Sequence, residues 1–533
     1  MQSWNMGYDT DTNYNFGYFT ALNPYQTRFN FIAHGMAFPK LGPNTNACEL
    51  GFGNGVSLVM HAANSQINWY GNDFNPAQVG FAQSLADSAQ VKVHISDDAF
   101  DQFLERDDLP MFDLIYLHGI WSWISRENQD VIVEFVKRKL KIGGVLYVSY
   151  NVCGGFGNVE PFRYLMYTHL NTLGDPALNH IEKIPAALDF MEQLIKLDPL
   201  YTKNAPWYLE SYKARIVNHD HNYLGHEFFN SNWFLEDSNY VAAKFETAKL
   251  NYVCQARLFD DLDEIMLAPE DIEFLKDYVN TPLYEPARDY IIGQTFRSDL
   301  YVKGALKLST KQQIEELDNT YFILMQDHKA KDLVIPTRFG KKPIDTERLA
   351  GIIKIFSDYQ VHSYKDLREL LTCEFAQESA RPENLKHIKL ISNQELIDNL
   401  IYAVASNVIS VVQPPEMITP EIKQHSQLLN KAILSTNSKS PLHTLSAPLL
   451  GGGLTIEDIH RLLISAVLNN PKISEKALVN ALLDMTKGNE SNFSFKMKGT
   501  EVKGRKAQTE VLKHFIHEFV SFKLPLIRKM CLI

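Results

Sequence analysis

The chain has 533 residues, a formal net charge of −11 and 45% hydrophobic residues. This length exceeds what one hydrophobic core supports, and about three or four domains are expected. The apolar content is typical of an ordered globular protein and argues against a disordered one. The excess of acidic residues argues against a general nucleic-acid-binding protein, because phosphate backbones are bound by basic surfaces.

Five cysteines are scattered along the chain, at Cys48, Cys153, Cys254, Cys373 and Cys531. No two of them have metal-ligand spacing, and an odd, scattered set is typical of a reducing compartment. The N-terminal segment is polar, and no stretch approaches the roughly 20 apolar residues that span a bilayer. We therefore expect a cytoplasmic protein without a membrane span.

Short apolar strands alternate with helices between residues 47 and 149. This alternation is typical of a parallel, doubly wound α/β sheet. Further strands predicted at 223–229 and 252–258 complete a Rossmann-like sheet of seven strands, with the last strand antiparallel. The other predicted strands are 47–50, 69–74, 91–95, 112–117 and 145–149, and the helices between them are 56–63, 76–89 and 129–140.

The rest of the chain divides into appended segments, mixed in the middle and mainly helical at the C-terminus. Residues 434–453 are rich in Ser, Thr, Pro and Gly, which is typical of a linker. The predicted domains are a core at 1–172 and 221–260, a helical insertion at 173–220 that is a candidate for dimerisation, a helical segment at 261–310, a winged-helix-like domain at 311–433, the linker, and a helical C-terminal domain at 454–533.

A glycine-rich loop follows the first predicted strand, with the sequence Glu49-Leu50-Gly51-Phe52-Gly53-Asn54-Gly55. Glycines between a strand and a helix let the backbone approach a ligand closely. Several nucleotide-like cofactors use such a loop, but the spacing G-x-G-x-G with a preceding acid favours S-adenosylmethionine over dinucleotides. Glu49, Gly51, Gly53 and Asn54 are therefore candidate cofactor-binding residues, and a tight turn without a ligand is the alternative.

Acidic residues follow the second and third strands. Asp73 is placed to accept hydrogen bonds from ribose hydroxyls, and Phe74 beside it is a further candidate cofactor-binding residue. A helix N-cap is the alternative role for Asp73, although Asn75 before Pro76 is the better cap. After the third strand, Asp98 is our candidate for the adenine amino group, and the Ala99 backbone N–H is the candidate for the adenine ring. Asp97 is a second choice there, and a solvated loop acid is the alternative.

The fourth strand leads into His118-Gly119-Ile120-Trp121-Ser122-Trp123. This stretch resembles the F-D-x-I-x-x-N-P-P-Y segment of amino-methylating enzymes, with His118 at the Asn position and Trp121 at the Tyr position. His118 is a candidate both to contact the cofactor and to orient or deprotonate an amine, and Trp121 is a candidate aromatic wall beside a sulfonium. The alternatives are a histidine that only fixes the loop and a tryptophan that packs in the core.

Tyr150 and Asn151 end the fifth strand, at the carboxyl edge where open α/β sheets bind ligands. Either side chain is a candidate to hold an amine substrate, and loop packing is the alternative. His226-Glu227 lacks the second His of H-E-x-x-H, so no metal site is expected.

The chain resembles bacterial class I methyltransferases that carry a methyltransferase regulatory domain, including rickettsial protein-lysine methyltransferases of outer-membrane proteins. The resemblance is specific through about residue 305 and weaker beyond it. The residues and segments that carry it are Tyr18, Leu22-Asn23-Pro24, the glycine-rich loop, Asp73-Phe74-Asn75-Pro76, His118-Gly119-Ile120-Trp121-Ser122-Trp123, 143–151, 160–166, Tyr223-Leu224-Gly225-His226-Glu227 and 296–304.

The resemblance implies methyl transfer from S-adenosylmethionine to lysine ε-amines of a protein, with S-adenosylhomocysteine as product. The implied substrate is a protein with exposed lysines, such as an outer-membrane protein before export, and the implied assembly is a homodimer. Residues 152–156 and Trp121 depart from the family pattern, which leaves substrate identity open. A small-molecule N- or O-methyltransferase and a non-catalytic cofactor-binding regulator are the alternative functions.

Overall fold

The computed structural model describes residues 16–217, 219–326, 333–337, 339–377, 379, 381–435, 442–486, 496–497, 500–501 and 505–530. The strands in these ranges are β1 Asn46–Leu50, β2 Asn68–Asn72, β3 His94–Ser96, β4 Phe112–Leu117, β5 Leu140–Asn151, β6 Leu250–Gln255, β7 Phe296–Lys303, β8 Tyr321–Leu324, β9 Val334–Thr337, β10 Gly340–Pro343, β11 His362–Ser363, β12 Ile409–Val412, β13 Thr444–Ala447, β14 Gly452–Thr455, β15 Lys496–Met497 and β16 Thr500–Glu501.

The helices of the first 300 residues surround the sheet and form the insertion. They are α1 Pro24–Ala33, α2 Val56–Asn64, α3 Pro76–Ala89, α4 Phe100–Leu104, α5 Arg126–Lys139, α6 Cys153–Phe156, α7 Glu160–Leu173, α8 His180–Lys196, α9 Leu200–Lys203, α10 Pro206–Tyr212, α11 His221–Phe228, α12 Ser238–Glu246, α13 Leu258–Asp261, α14 Asp263–Met266, α15 Pro269–Leu275 and α16 Tyr284–Ile292. The helices that follow are α17 Thr310–Asp318, α18 Ala350–Ile355, α19 Tyr364–Leu371, α20 Asn393–Ala405, α21 Pro420–Ser435, α22 Asp458–Asn469, α23 Glu475–Thr486, α24 Arg505–Glu518 and α25 Leu524–Lys529.

The first seven strands form one sheet in the order β3-β2-β1-β4-β5-β7-β6. The strands from β3 to β5 pair in parallel, while β7 runs antiparallel to both β5 and β6. Most of β4 and β5 is buried on both faces, which explains their nearly continuous apolar sequences. The prediction of a Rossmann-like, seven-stranded α/β core with appended mixed and helical regions is confirmed.

The antiparallel strand of this sheet is β7, from a segment that the sequence pattern assigned to helices at 261–310. The predicted last strand at 252–258 corresponds instead to β6, which flanks β7 at the sheet edge. The sequence of β7 obscured it, because Arg297 and Asp299 interrupt the apolar pattern. Both side chains are buried, and Arg297 Nε lies 3.0 Å from Asp299 Oδ1, so each buried charge has a partner of opposite sign.

A second correction concerns the strand predicted at 223–229, which is helix α11. Asp220 caps this helix, since its side chain accepts hydrogen bonds from the backbone N–H groups of Asn222 and Tyr223. The pattern of apolar and polar residues there fits about two turns of an amphipathic helix as well as it fits a strand. Helices α8–α10 lie in the predicted insertion at 173–220, and α8 and α10 share an apolar core with α7 and α11.

The middle of the chain contains a small antiparallel sheet in the order β11-β8-β12, with helices α17–α20 around it. It contacts the N-terminal helix through Phe29, whose ring lies 5.4 Å from that of Phe322. The winged-helix-like architecture proposed for 311–433 remains a prediction.

The linker predicted at 434–453 is wrong for residues 442–453, while residues 436–441 lie outside the described ranges. Strands β13 and β14 form a buried hairpin that packs on α2, where Asn64 Nδ2 donates to Ser446 Oγ at 2.7 Å and to the Gly452 carbonyl at 2.9 Å. A Cβ atom on Gly452 would lie 2.1 Å from the Tyr18 hydroxyl. The glycines of this segment therefore permit close packing and do not form a flexible linker.

Candidate functional site

The glycine-rich loop connects β1 to α2 at the carboxyl edge of the sheet. Gly51, Gly53 and Gly55 have φ values of 64°, 58° and 65°, which L side chains rarely adopt. A Cβ atom on Gly51 would lie 2.5 Å from Ile120 Cδ1, and one on Gly55 would lie 2.6 Å from Ala82 Cβ. The loop therefore requires glycine for both its backbone conformation and its packing.

Asp73, at the end of β2, lies directly beside this loop. Its carboxylate accepts hydrogen bonds from the Gly53 N–H at 2.9 Å and from the Asn75 N–H at 3.0 Å. The Gln78 side-chain amide lies within 3.1 Å of both Asp73 oxygens. Asn75 caps α3 through a bond from Ala77 N, so Asp73 is not the cap of this helix.

Glu49 and Asp73 form a buried pair of carboxyl groups, with 4% and 5% of their surfaces exposed. Burial raises the pKa of Asp73 to about 7. Burial, followed by repulsion from Asp73, raises the pKa of Glu49 to about 8. Glu49 Oε2 is buried without a hydrogen-bond partner among the described residues. The pair therefore favours a ligand that brings hydrogen-bond donors or positive charge.

The candidates for adenine lie at the end of β3 on the same sheet edge. Asp98 is half-buried and pairs with Arg106 at 3.0 Å, while its backbone carbonyl accepts from Asn72 Nδ2. The Ala99 N–H donates to Gln102 Oε1 at 3.0 Å as α4 begins, so this donor is occupied within the chain. Asn54 is buried in the glycine-rich loop, and Phe74 is half-buried beside Asp73.

An aromatic cleft surrounds His118, immediately after β4. The His118 ring lies 3.9 Å from the Phe19 ring and 5.8 Å from the Phe296 ring, measured between centroids. Its Nδ1 lies 2.7 Å from the Tyr147 hydroxyl and 3.3 Å from Ser149 Oγ. The N-terminal segment, β4, β5 and β7 thus meet at this residue.

Burial determines the charge of the His118 ring, and its hydrogen bonds bear on which ring nitrogen carries the proton. Burial lowers the pKa of His118 to about 3, so the imidazole is neutral at physiological pH. The Tyr147 hydroxyl donates to Ser298 Oγ at 3.1 Å, and in that orientation its oxygen can accept a hydrogen bond from Nδ1–H of His118. With the proton on Nδ1, Nε2 is left as an acceptor of low basicity. His118 is therefore suited to orienting an amine and poorly suited to removing its proton.

Two predicted catalytic residues do not line this cleft. Trp121 has 0% exposure and packs on Phe245 with ring centroids 5.0 Å apart, so the expected wall beside a sulfonium is wrong. Tyr150 is also fully buried, and its hydroxyl donates to Asp299. It projects from the face of β5 opposite to Tyr147 and Ser149, because successive strand residues alternate between faces.

Asn151 remains at the candidate site, with its side chain bonded to a residue that the sequence did not identify. Asn151 Nδ2 donates to Glu227 Oε1 at 2.8 Å, and Phe296 lies opposite Asn151 on β7. Burial raises the pKa of Glu227 to about 7. The residues that sequence reasoning missed are Phe19, Tyr147, Glu227 and Phe296. Glu227 and Phe296 lie in the sequence segments that carry the family resemblance. Tyr147 lies two residues before Ser149 on β5, so the alternation of faces along the strand indicates that both side chains point to the same side.

Within the described ranges, no group of three or more His, Cys, Asp and Glu side chains is arranged to hold a metal ion. In the same part of the chain, no helix has the length and hydropathy needed to cross a bilayer.

The comparisons with known proteins agree with this geometry. Residues 220–303 match a family model described as a predicted methyltransferase regulatory domain. A structure of PKMT2 from Rickettsia typhi in complex with AdoHcy aligns with 97% of this chain and 99% of its own, with a TM-score of 0.66 and 17% identity. The core has the class I methyltransferase fold. The resemblance inferred from the sequence segments is confirmed.

Two relatives extend the similarity at the level of sequence. An uncharacterized protein of Synechocystis sp. is 35% identical over 325 residues, which cover 61% of this chain and 63% of the relative. An uncharacterized protein of Rickettsia prowazekii is 24% identical over 304 residues, which cover 55% of this chain and 52% of the relative. The matched part of this chain thus spans less than two thirds of each relative.

Proposed function

We propose that the protein is an S-adenosylmethionine-dependent methyltransferase that modifies lysine ε-amines of a protein substrate. The single observation that carries the proposal is the buried carboxyl pair of Glu49 and Asp73 beside the glycine-rich loop, with Glu49 Oε2 unpartnered among the described residues. The structural similarity to PKMT2, which was solved with AdoHcy, supports the same cofactor here.

The residues present fit this cofactor chemically. Asp73 presents carboxylate oxygens to ribose hydroxyls, and Glu49 is suited to the ammonium group of the methionine part. Asp98 stays our candidate for the adenine amino group at the end of β3. The left-handed glycines let the loop backbone approach the cofactor without a side chain in between.

S-adenosylmethionine supplies an electrophilic methyl group on a sulfonium. With the cofactor bound, the lone pair of the amine nitrogen would form the new bond to the methyl carbon as the carbon–sulfur bond breaks, so S-adenosylhomocysteine would be the second product. A lysine ammonium must first lose a proton to solvent, since only the neutral amine carries a lone pair. The protein contributes mainly alignment and desolvation of the two reactants.

The aromatic cleft and the Asn151–Glu227 pair are suited to receive the amine. Phe19 and Phe296 flank His118 and exclude water, while His118 Nε2 accepts a hydrogen bond from the amine. Glu227, bonded to Asn151, attracts the incoming ammonium when ionised. These residues replace Trp121 and Tyr150 in our account of catalysis.

The size of the appended part favours a macromolecular substrate over a small metabolite. The sequence segments shared with rickettsial lysine methyltransferases favour a bacterial outer-membrane protein, modified before export in the cytoplasm. We also propose a homodimer through the helical insertion, where Leu197, Leu200 and Trp207 are 77%, 74% and 57% exposed.

The test is incubation of the intact protein with isotopically labelled S-adenosylmethionine and purified, unfolded bacterial outer-membrane proteins. We expect label in the protein bands and methyl increments on lysines by mass spectrometry. The Asp73→Ala variant serves as the negative control. Label only in small molecules would favour a metabolite methyltransferase, and no transfer to any acceptor would favour a non-catalytic regulator.

A further inference from the structure

A cavity of about 520 Å³ lies between α6, α10, α11 and the helical turn 213–217. It belongs to the insertion and regulatory segments, outside the cofactor loop. Its lining residues are Phe156, Glu210, Ser211, Ala214, Arg215, His219 and Tyr223. The floor is apolar, with Phe156 buried, while the walls carry hydrogen-bonding side chains.

Arg215 is the central cation of this cavity. Its guanidinium carbon lies 4.8 Å from the Phe156 ring centroid, and no described carboxylate forms an ion pair with it. Burial lowers the pKa of Arg215, which reports partial loss of hydration, but a guanidinium remains charged at neutral pH. A half-buried cation on an aromatic floor is suited to a planar anion, to which it can donate two parallel hydrogen bonds.

Neutral donors accompany Arg215. Ser211 Oγ accepts from Asn158 Nδ2 at 2.7 Å, which leaves its own proton available for a ligand. Burial raises the pKa of Tyr223, so its hydroxyl stays protonated and can donate. Glu210 is exposed and is the only carboxylate among the lining residues. Because Glu210 partly offsets the positive charge of Arg215, the cavity is better suited to a ligand with one negative charge, such as a carboxylate, than to a phosphate dianion.

The cavity and the proposed amine site share helix α11 and an apolar cluster. Tyr223 lies one turn before Glu227 on α11, and Glu227 is bonded to Asn151 at the sheet edge. Phe296 lies 5.8 Å from His118 and packs on the same apolar cluster as Phe156 and Tyr223. A polypeptide whose lysine reaches His118 can therefore place a neighbouring side chain in the cavity.

We infer that the cavity around Arg215 binds an aspartate or glutamate side chain of the polypeptide substrate, close in sequence to the methylated lysine. The inference rests on the proposed function, since it concerns the substrate of that same site. It assigns specificity to the insertion and regulatory segments: the enzyme selects lysines with an acidic neighbour.

The test compares short fluorescent peptides with one central lysine and a single Asp moved through the flanking positions, against the same peptides with Asn. Binding by fluorescence polarisation, with S-adenosylhomocysteine present, should favour Asp by about tenfold at one or two positions. Arg215→Met should abolish the preference, and Glu210→Gln should increase it. Lys196→Met removes an exposed charge from the same insertion and should leave the preference unchanged.

The outcomes separate this inference from the proposed function. Equal binding of Asp and Asn peptides, or no peptide binding at all, would overturn the acidic site even if proteins are methylated. An Asp preference without methyl transfer would retain the site and contradict the proposed reaction. Unchanged binding of S-adenosylhomocysteine by Arg215→Met verifies folding, and an Arg215→Lys variant with partial preference would support the role of charge.

Discussion

Glu227 Oε1 accepts a hydrogen bond of 2.8 Å from Asn151 Nδ2, which joins helix α11 to the carboxyl end of β5. Asn151 belongs to the methyltransferase core, whereas Glu227 lies within the regulatory-domain match at 220–303. The segment matched by the regulatory-domain model thus contributes a carboxyl group to the carboxyl edge of the seven-stranded sheet. Because burial raises its pKa to about 7, this group changes charge near neutral pH.

The Glu227→Gln variant should lower kcat/KM for lysine methylation by about 10–100-fold, because it removes the charge that attracts the ammonium while keeping the bond to Asn151. In the wild type, the Glu227 carboxyl ionises as pH rises through about 7, so kcat/KM should rise over that range. Initial rates of methyl transfer to a lysine-containing peptide substrate across pH measure both effects.

The matched control for this variant is Glu246→Gln, which removes an exposed carboxylate from α12. It should leave the rate and its pH profile unchanged. An identical pH profile in the wild type and in Glu227→Gln would show that another group causes the rise.

The stability of the cofactor-free protein should decrease as pH rises, in part because of Glu49. Its pKa is raised from 4.5 to about 8 on folding, so the folded chain binds this proton more tightly than the unfolded chain. The contribution is therefore most favourable below about pH 4.5 and is lost progressively up to about pH 8. Glu49→Gln should flatten this decline, raising stability relative to the wild type by on the order of 1–3 kcal/mol at pH 8.

Melting temperatures of the wild type and Glu49→Gln from pH 5 to about pH 9.5 measure this effect, since a carboxyl with a pKa of about 8 is almost fully ionised at the upper end. Parallel profiles for the two proteins would contradict the raised pKa. Glu49→Gln should also bind S-adenosylmethionine more weakly, which separates the stability effect from the cofactor effect.

Gly51→Ala should destabilise the protein by about 1–3 kcal/mol, because the new Cβ meets Ile120 at 2.5 Å in a left-handed backbone. Gly80→Ala is the matched control: nothing lies within 4 Å of a Cβ atom there, and Gly80 is inside α3. That variant should stabilise by about 0.5–1 kcal/mol. Thermal unfolding of both proteins checks the opposite signs, and equal effects would argue against the strained loop.

The corrected roles of Trp121 and His118 predict different outcomes for similar substitutions. Trp121→Phe shrinks a fully buried side chain and should lower stability by about 1–3 kcal/mol while the cleft stays intact. His118→Phe removes the Nε2 acceptor and should lower kcat by about 10–100-fold. Kinetics and melting temperatures of both variants make the comparison, and a large loss of kcat with normal stability in Trp121→Phe would restore its catalytic role.

The sequence alone predicts the elements whose structure depends on residues close together in the chain. The apolar run of β4 predicts a strand covered on both faces, and the glycines between β1 and α2 predict a turn that other residues cannot form. Strand β7 could not be recognised, because Arg297 and Asp299 appear polar in sequence. Their charges are neutralised in the interior, where Arg297 also pairs with Asp289 and Glu285.

The candidate site was predicted only in part for a related reason. Spacing in the sequence identifies which residues follow strands. It does not determine on which face of the sheet a side chain lies, or which residues from distant segments pack against it. Tyr150 was placed at the cleft, whereas Tyr147 occupies it. Phe19 and Phe296 reach His118 only through tertiary packing across long sequence separations.

We propose that Glu49, Asp73 and the glycine-rich loop hold S-adenosylmethionine, and the decisive experiment is isothermal titration of the intact protein with this cofactor. We expect saturable binding at one site per chain, weakened by about 1–3 kcal/mol in Asp73→Ala and unchanged in Asp87→Ala, an exposed acid on α3. No binding by the wild type, or equal affinity in Asp73→Ala, would contradict the account.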